Sequence, residues 1–183
     1  MATWFDTISK SFADVPIDAA NDNAISTAEF LEAAEALVTL FDVLGSAAFT
    51  PVKNDLLGNI KKVRDRLLAA PAESQTLQDL VLNELKAGKK TASGGLLWLC
   101  RGLDFTAQAL RHNLDNPSVE LSASFREAYG GTLKPHHSWD FYKKLGNGDE
   151  TKVATPMEKE VAALEKVVGI LKTFQARKDV QVE

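Results

Sequence analysis

The sequence has 183 residues, 45% of them hydrophobic and 25% charged, which is typical of one globular domain with a substantial core. Its net charge of −4 and isoelectric point near 5.5 argue against non-specific nucleic-acid binding, which needs a basic surface. The first residues show no secretory-signal pattern, no apolar run approaches the ~20 residues that span a bilayer, and Cys100 is the single cysteine. We therefore expect a cytoplasmic protein without structural disulfides.

The first helix signals lie near residue 26. Ser26 and Glu29 have the spacing of a capping box, in which the serine hydroxyl accepts from the glutamate backbone N–H and the carboxylate reaches back. An i, i+3/i+4 apolar pattern follows, and Gly45 can end this helix in the left-handed conformation. Thr50 and Pro51 then predict a second helix, with Thr50 as its N-cap.

Further helices are predicted along the rest of the chain. One covers residues 76–87, one covers about 94–113, one begins at 116–117 and the last begins at 155–156. The helix over 94–113 is apolar on more than one face, which predicts a position between two helical layers. Residues 18–23 are interpreted as a polar loop. Because strand-like alternation is absent, the sequence predicts an all-α fold in a single domain, residues 1–183.

The second helix carries two stripes of different chemistry. Five residues form its apolar arc: Val52, Leu56, Ile60, Val63 and Leu67. Asp55, Asn59 and Lys62 follow one edge of that arc, and Arg66 continues their stripe. One interpretation is a set of boundary side-chain pairs, each worth about a few tenths of a kcal/mol. The other is a row of donors and acceptors for a hydroxyl-rich ligand such as a sugar.

The predicted fourth helix carries two aromatic residues, Trp98 and Phe105, on the side away from its main apolar stripe. Trp98 could belong to the core between layers. Its indole could equally be an exposed platform on which the C–H face of a sugar ring stacks, or over which a cation lies.

Several kinds of catalytic or metal site lack support in the sequence. His112, His136, His137 and Cys100 do not have metal-ligand spacing. The chain contains no Walker A motif, no G-x-G-x-x-G motif and no G-x-S-x-G elbow. Because no constellation supplies both a nucleophile and a positioned base, we expect a non-enzyme without metal or cofactor.

Three segments together carry a family resemblance. They read FTPVKNDLLGNIKK over residues 49–62, LWLCRGL over 97–103 and AYGGTLKPHHSW over 128–139. In this order they resemble the glycolipid transfer protein family, and more closely its fungal heterokaryon-incompatibility branch, over nearly the whole chain. The resemblance implies a two-layer, all-α helical sandwich that binds a glycosphingolipid and carries it between membranes through the cytosol. It implies transient membrane contact and no obligate protein partner.

The resemblance also assigns expected roles to individual residues. The sugar headgroup is expected to contact four side chains: Asp55, Asn59, Lys62 and Trp98. Asp55 and His137 are expected to hold the N–H and C=O of the ceramide amide, since a carboxylate accepts and an imidazole N–H donates. Residues near the lipid-chain tunnel are Phe49, Val52 and Leu133. Amphipathic aromatic side chains predicted to dock at the bilayer are Trp139 and Tyr142.

Two alternatives and one departure accompany this resemblance. A ceramide-1-phosphate carrier would use extra arginines and lysines at the site, whereas Trp98 here favours a sugar. A lipid sensor or interaction module would bind the same headgroup without moving it. The departure is that Trp139 directly precedes Asp140, where relatives continue the helix for roughly twenty more residues, or over five turns at ~3.6 residues per turn. We therefore expect one shortened helix and an altered tunnel.

Overall fold

The computed structural model describes residues 3–45, 49–128 and 150–180. The helices are α1 (Thr27–Leu44), α2 (Thr50–Ala69), α3 (Leu77–Lys86), α4 (Thr91–Asp115), α5 (Leu121–Ala128) and α6 (Glu150–Gln175). Short 3-10 turns lie at Trp4–Asp6, Phe12–Asp14, Pro71–Glu73 and Lys178–Val180. Within the described ranges, the expectation of an all-α fold is confirmed.

Helix α4 lies between α2 and α6. Gly95 and Gly102 of α4 lie against α2, whereas Asp104 and Arg111 form ion pairs with α6. At ~100° per residue, these two pairs occupy opposite sides of α4. The position between helical layers that was predicted for this helix is therefore confirmed.

One continuous apolar cluster draws buried side chains from all three described segments. The predicted arc of α2 belongs to it: Val52, Leu56, Ile60 and Val63 are buried, and Leu67 is half-buried. Since this arc faces the core, the polar stripe along its edge is held where the core meets solvent.

The start of α1 departs from the predicted capping box. Ser26 is the N-cap residue, but its hydroxyl donates to the Glu29 carboxylate instead of accepting from a backbone N–H. This hydrogen bond lowers the pKa of Glu29. The predicted end of the helix is confirmed, since Gly45 has φ = 64° in the left-handed region.

Four other predicted helix starts are displaced. Helix α4 begins at Thr91 and not at about residue 94. Helix α2 begins at Thr50 with Phe49 as its N-cap, one residue earlier than expected. Helix α5 begins at Leu121, not at 116–117, because the preceding segment forms a turn in which the Val119 N–H donates to the Asn116 carbonyl over 2.9 Å. Helix α6 begins at Glu150 instead of 155–156, and Pro156 lies inside it, since proline removes one backbone donor without forcing the helix to end there.

The interpretation of residues 18–23 as a plain loop misses a small hairpin. Strand β1 (Ile17–Asp18) pairs antiparallel with β2 (Ala24–Ile25). Asp22 and Asn23 adopt positive φ values of 51° and 54°, which aspartate and asparagine tolerate better than most residues. Gln78 of α3 accepts from the Ile25 N–H over 2.9 Å and fixes the hairpin to the helices.

A buried carboxylate of α3 caps the start of α4. Glu84, only 3% exposed, accepts from the backbone N–H groups of Ala92 and Ser93 over 2.9 and 2.6 Å and from the Ser93 hydroxyl over 2.6 Å. Burial acts to raise the pKa of Glu84, but these hydrogen bonds outweigh it, so the pKa is lowered. The first turn of α4 therefore depends on an ionised side chain from another helix.

We expect Glu84→Gln to lower the free energy of unfolding at neutral pH by ~1–3 kcal/mol, because one oxygen cannot satisfy all three donors. A lowered folded-state pKa contributes stability above the unfolded value of 4.5, and that contribution is lost as pH falls through the folded value. The difference in the free energy of unfolding between Glu84→Gln and the wild type should therefore become smaller below pH ~4.5. Urea denaturation at pH 7 and pH 3.5 measures it, and a pH-independent difference would contradict the proposed cap.

Candidate functional site

Three polar side chains of α2 form one hydrogen-bonded row. The Asn59 amide nitrogen donates to the Asp55 carboxylate over 3.2 Å, and the Lys62 ammonium donates to the Asn59 amide oxygen over 2.9 Å. Asn59 is only 3% exposed, whereas Asp55 and Lys62 are exposed. The buried amide thus holds an exposed acceptor and an exposed donor in fixed relative positions.

Close packing of α4 against α2 supports this row. A Cβ atom at Gly95 would lie 2.9 Å from Cβ of Lys62, and one at Gly102 would lie 2.6 Å from Cδ2 of Leu56. Both distances are too short for ordinary contact. A Cβ atom at Gly95 would therefore require the stem of Lys62 or the two helices to shift, whereas one at Gly102 would require the Leu56 side chain to move.

We expect Gly95→Ala not to increase the free energy of unfolding, although a glycine-to-alanine change in a helix normally does so. Replacing glycine by alanine in an open helix interior should add ~0.5–1 kcal/mol to the free energy of unfolding. Gly169→Ala in α6 is the matched control, since a Cβ atom added there would meet no neighbouring group within 4 Å. In urea denaturation, equal stabilisation by both substitutions would contradict the close packing described here.

Trp98 and Arg101 of α4 stand together at the surface beside this row. Trp98 is 55% exposed, so it does not belong to the core. This exposure is unusual, because burial of an indole is favourable. Cζ of Arg101 lies 4.6 Å from the centroid of the Trp98 ring, within cation–π range. The structure therefore favours the platform interpretation of Trp98 over the core interpretation.

A cleft of about 640 Å³ lies between α2 and α4. Asp55, Trp98 and Arg101 supply its polar and amphipathic groups. The remaining lining is apolar or small: Pro51, Val52, Leu56, Gly102, Phe105 and Ala128. Such a cleft can take a molecule with a polar group at one end and an apolar remainder.

The expected tunnel residues within the described ranges occupy different places. Val52 lines the cleft directly. Phe49 is 6% exposed and packs on Phe125, with ring centroids 5.0 Å apart. Phe125 also contacts Phe105, which lines the cleft, with centroids 5.3 Å apart. The ring of Phe125 thus lies between Phe49 and Phe105, the aromatic residue that lines the cleft.

Four other residues named from the sequence lie outside the described residues: Leu133, His137, Trp139 and Tyr142. Among the described residues, no group of three or more His, Cys, Asp and Glu side chains is placed to hold a metal ion. None of the described helices is long and apolar enough to cross a bilayer. Burial raises the pKa of the Cys100 thiol to about 12, so this thiol is protonated at neutral pH and is a poor nucleophile.

The sequence pattern understated the contribution of α4 to the cleft. Trp98, Arg101, Gly102 and Phe105 have i, i+3, i+4 and i+7 spacing, so they share one face of the helix. This spacing is visible in the sequence. This face combines an indole, a guanidinium, a glycine and a phenyl group, so it is neither a purely apolar nor a purely polar stripe. A search for such stripes therefore does not find it.

Comparison with known sequences identifies related proteins. Residues 25–145 match the family model of the Glycolipid transfer protein (GLTP). A glycolipid transfer protein of Aureobasidium melanogenum is 53% identical over 194 residues, covering 97% of this chain and 94% of the relative. The human pleckstrin homology domain-containing family A member 8 is 40% identical over 141 residues, which are 75% of this chain but only 27% of that protein.

Solved structures show the same architecture. HET-C2, a fungal glycolipid transfer protein, is 54% identical with a TM-score of 0.89, covering 98% of this chain and 100% of that chain. FAPP2, whose GLTP-fold is described as selecting simple glycosphingolipids, is 30% identical with a TM-score of 0.78, covering 94% of each chain. Mouse ceramide-1-phosphate transfer protein, at 17% identity and a TM-score of 0.78 over 98% of each chain, shares the fold. The expected two-layer helical sandwich is therefore confirmed.

Proposed function

This chain belongs to the glycolipid transfer protein family, and we propose that it binds a glycosphingolipid and transfers it between membranes through the cytosol. One observation carries the proposal: the cleft between α2 and α4 combines a carboxylate, an exposed indole and an apolar lining. A glycosphingolipid has the matching parts, namely sugar hydroxyls, an amide and hydrocarbon chains. The hydrogen-bonded row beside Asp55 adds further donors and acceptors for a sugar.

Each headgroup residue has a chemical role in this proposal. Asp55 accepts from sugar hydroxyls and from the ceramide amide N–H, and His137 donates to the amide carbonyl. Asn59 and Lys62 supply an amide and an ammonium to the remaining hydroxyls. Trp98 stacks under the C–H face of the sugar ring. The ligand is desolvated and moved without covalent change, so the proposal includes neither an enzymatic step nor a cofactor.

The lipid chains are proposed to enter the apolar side of the cleft. Val52 contacts them directly, Leu133 contributes beside it, and Phe49 supports the aromatic layer behind. The whole chain acts as one domain in this proposal. It needs only transient contact with a membrane and no obligate protein partner.

Trp139 and Tyr142 are proposed to dock the protein at the bilayer surface, where amphipathic aromatic side chains are favoured. We expect Trp139→Ala to weaken binding to vesicles without changing helicity. The sedimented fraction of protein measures vesicle binding, and Leu68→Ala is the control because Leu68 is another large exposed apolar residue, 72% exposed. An equal effect of the two substitutions would indicate non-specific apolar contact.

This chain is shorter than its fungal relative. Their alignment extends over 194 residues although this chain has 183, so the relative contains residues that this chain lacks. We propose that the difference falls after Trp139, where the relatives' helix is expected to continue. Headgroup binding and transfer could then be affected to different degrees.

The main alternative is a ceramide-1-phosphate carrier, since Arg101 and Lys62 provide cations near the cleft. The exposed Trp98 favours a sugar, because a phosphate gains nothing from an apolar platform. A second alternative is a lipid sensor that binds without transfer.

Donor vesicles with labelled glucosylceramide, lactosylceramide or ceramide-1-phosphate distinguish these functions. We expect the protein to bind both glycolipids and deliver them to acceptor vesicles. Delivery of ceramide-1-phosphate alone would favour the phosphate carrier. Binding of glycolipid with no delivery would favour the sensor, and failure to bind any of the three lipids would contradict the proposal.

A further inference from the structure

A cation already lies over the indole of Trp98. Trp98 and Arg101 are three residues apart on α4, so they share a helix face, and both line the cleft. The guanidinium carbon is 4.6 Å from the ring centroid, inside the ~6 Å range of cation–π attraction. The spacing of the two residues along α4 thus brings their side chains within reach of each other.

Without Arg101, the cleft would have the two features that recognise a quaternary ammonium. An exposed aromatic face attracts such a cation, and Trp98 is the side chain best suited to it. Asp55 in the same cleft would add an opposite charge. A ceramide with a phosphocholine headgroup could place its trimethylammonium group over this indole.

With Arg101 in place, the same position is occupied and positively charged. Trp98 is still 55% exposed beside Arg101, so part of the indole can contact a ligand. A second cation placed there would meet a like charge within a few ångströms. A neutral sugar can stack on the same exposed part without this repulsion, and the guanidinium N–H groups can donate to its hydroxyls. Selectivity is often achieved by penalising the competitor in this way.

We propose that Arg101 is a specificity-determining residue: its guanidinium occupies the cation position over Trp98 and excludes ceramide lipids that carry a phosphocholine headgroup. The inference rests on the proposed function, because it takes the cleft as the headgroup site. It adds a competitor class that the cleft rejects and the residue that rejects it.

Titrations with short-chain fluorescent sphingomyelin, ceramide-1-phosphate and glucosylceramide test this inference, without vesicles whose choline lipids would compete. In Arg101→Gln we expect sphingomyelin affinity to rise about two- to fivefold, the equivalent of one exposed cation–π contact. Ceramide-1-phosphate affinity should fall, because a nearby cation is lost. Arg101→Lys, which keeps a cation, should retain most of the exclusion.

Three comparisons separate this role from other effects of Arg101. If sphingomyelin and ceramide-1-phosphate affinities fall together, Arg101 is only a phosphate contact and the inference is overturned. An equal rise in Lys86→Gln, which removes an exposed cation of α3, would overturn it as an effect of net charge. The rise should disappear in the double variant Trp98→Ala/Arg101→Gln, and its persistence there would also overturn the inference.

The glucosylceramide titration of the wild type keeps the two proposals distinguishable. If the wild type does not bind glucosylceramide, the proposed function fails. The opposite movement of the sphingomyelin and ceramide-1-phosphate affinities in Arg101→Gln still decides the role of Arg101. Far-UV circular dichroism confirms that each compared variant retains its helical fold.

Discussion

Replacing Asp55 by valine should reduce glycolipid affinity about ten- to a hundredfold while leaving the helical fold intact. A hydrogen bond to a charged group contributes ~1.5–3 kcal/mol, which corresponds to this range of affinity. Asp55 lies in the cleft and is exposed, so a valine there disturbs no buried packing. Its one hydrogen-bonded neighbour among the described residues is the buried Asn59, whose amide oxygen still accepts from Lys62 but whose amide nitrogen loses its acceptor. We therefore expect some loss of stability in Asp55→Val, which thermal unfolding measures.

Asp65→Val is the matched control for Asp55→Val. Asp65 is an exposed aspartate of the same helix, and it pairs with Lys61 at i, i+4 over 2.7 Å. It does not line the cleft. Binding of labelled glucosylceramide and far-UV circular dichroism should be measured for both variants.

Unchanged affinity in Asp55→Val with preserved helicity would mean that the polar row is only a solvated boundary of α2. Equal losses in both variants would indicate a general effect of charge on this helix. Only a selective loss in Asp55→Val supports the headgroup role. Wild-type affinity in the Asp65 control is part of that result.

Inserting the segment that we propose this chain lacks between Trp139 and Asp140, taken from its relatives, should raise intervesicle transfer about a hundredfold or more. During transfer the lipid chains must stay out of water, and each exposed CH₂ group costs ~0.8 kcal/mol. Four uncovered methylenes would therefore cost about 3 kcal/mol, or over a hundredfold in retention. The proposed headgroup residues Asp55, Asn59, Lys62 and Trp98 all precede the insertion point, so headgroup binding should change less than transfer.

A Gly/Ser segment of the same length is the control for this graft. It restores chain length without apolar side chains, so it should leave transfer low if covering the lipid chains is the limiting factor. Transfer between vesicles and thermal unfolding should be compared for the native chain, the graft and the control. Equal transfer and equal stability of the native chain and the graft would show that the shorter chain needs no added cover.

The sequence by itself determined what a single helix can determine. The row of Asp55, Asn59 and Lys62 follows from i, i+4 and i+7 spacing, and the structure places these side chains in hydrogen-bonding contact as the pattern implies. The all-α class and the central position of α4 follow equally from apolar periodicity. These features depend on neighbours within a few turns, so the local pattern contains the information.

Helix boundaries depended on contacts that the local pattern does not contain. The late start of α5 depends on a turn in which the Asn113 amide also donates to the Val119 carbonyl over 2.7 Å. The start of α4 depends on Glu84, a buried carboxylate supplied by the preceding helix. A cap of this kind is invisible to rules that search only the residues next to the helix.

The cleft itself was decided by tertiary structure. Asp55 and Trp98 are 43 positions apart in the sequence, and they line one cleft because α4 packs closely against α2 at Gly95 and Gly102. The spacing of Trp98 along the helix is compatible both with a core position and with an exposed platform, so the sequence could not distinguish the two. Its exposure and its contact with Arg101 depend on which helix packs on which face, and that is fixed by long-range packing of the core.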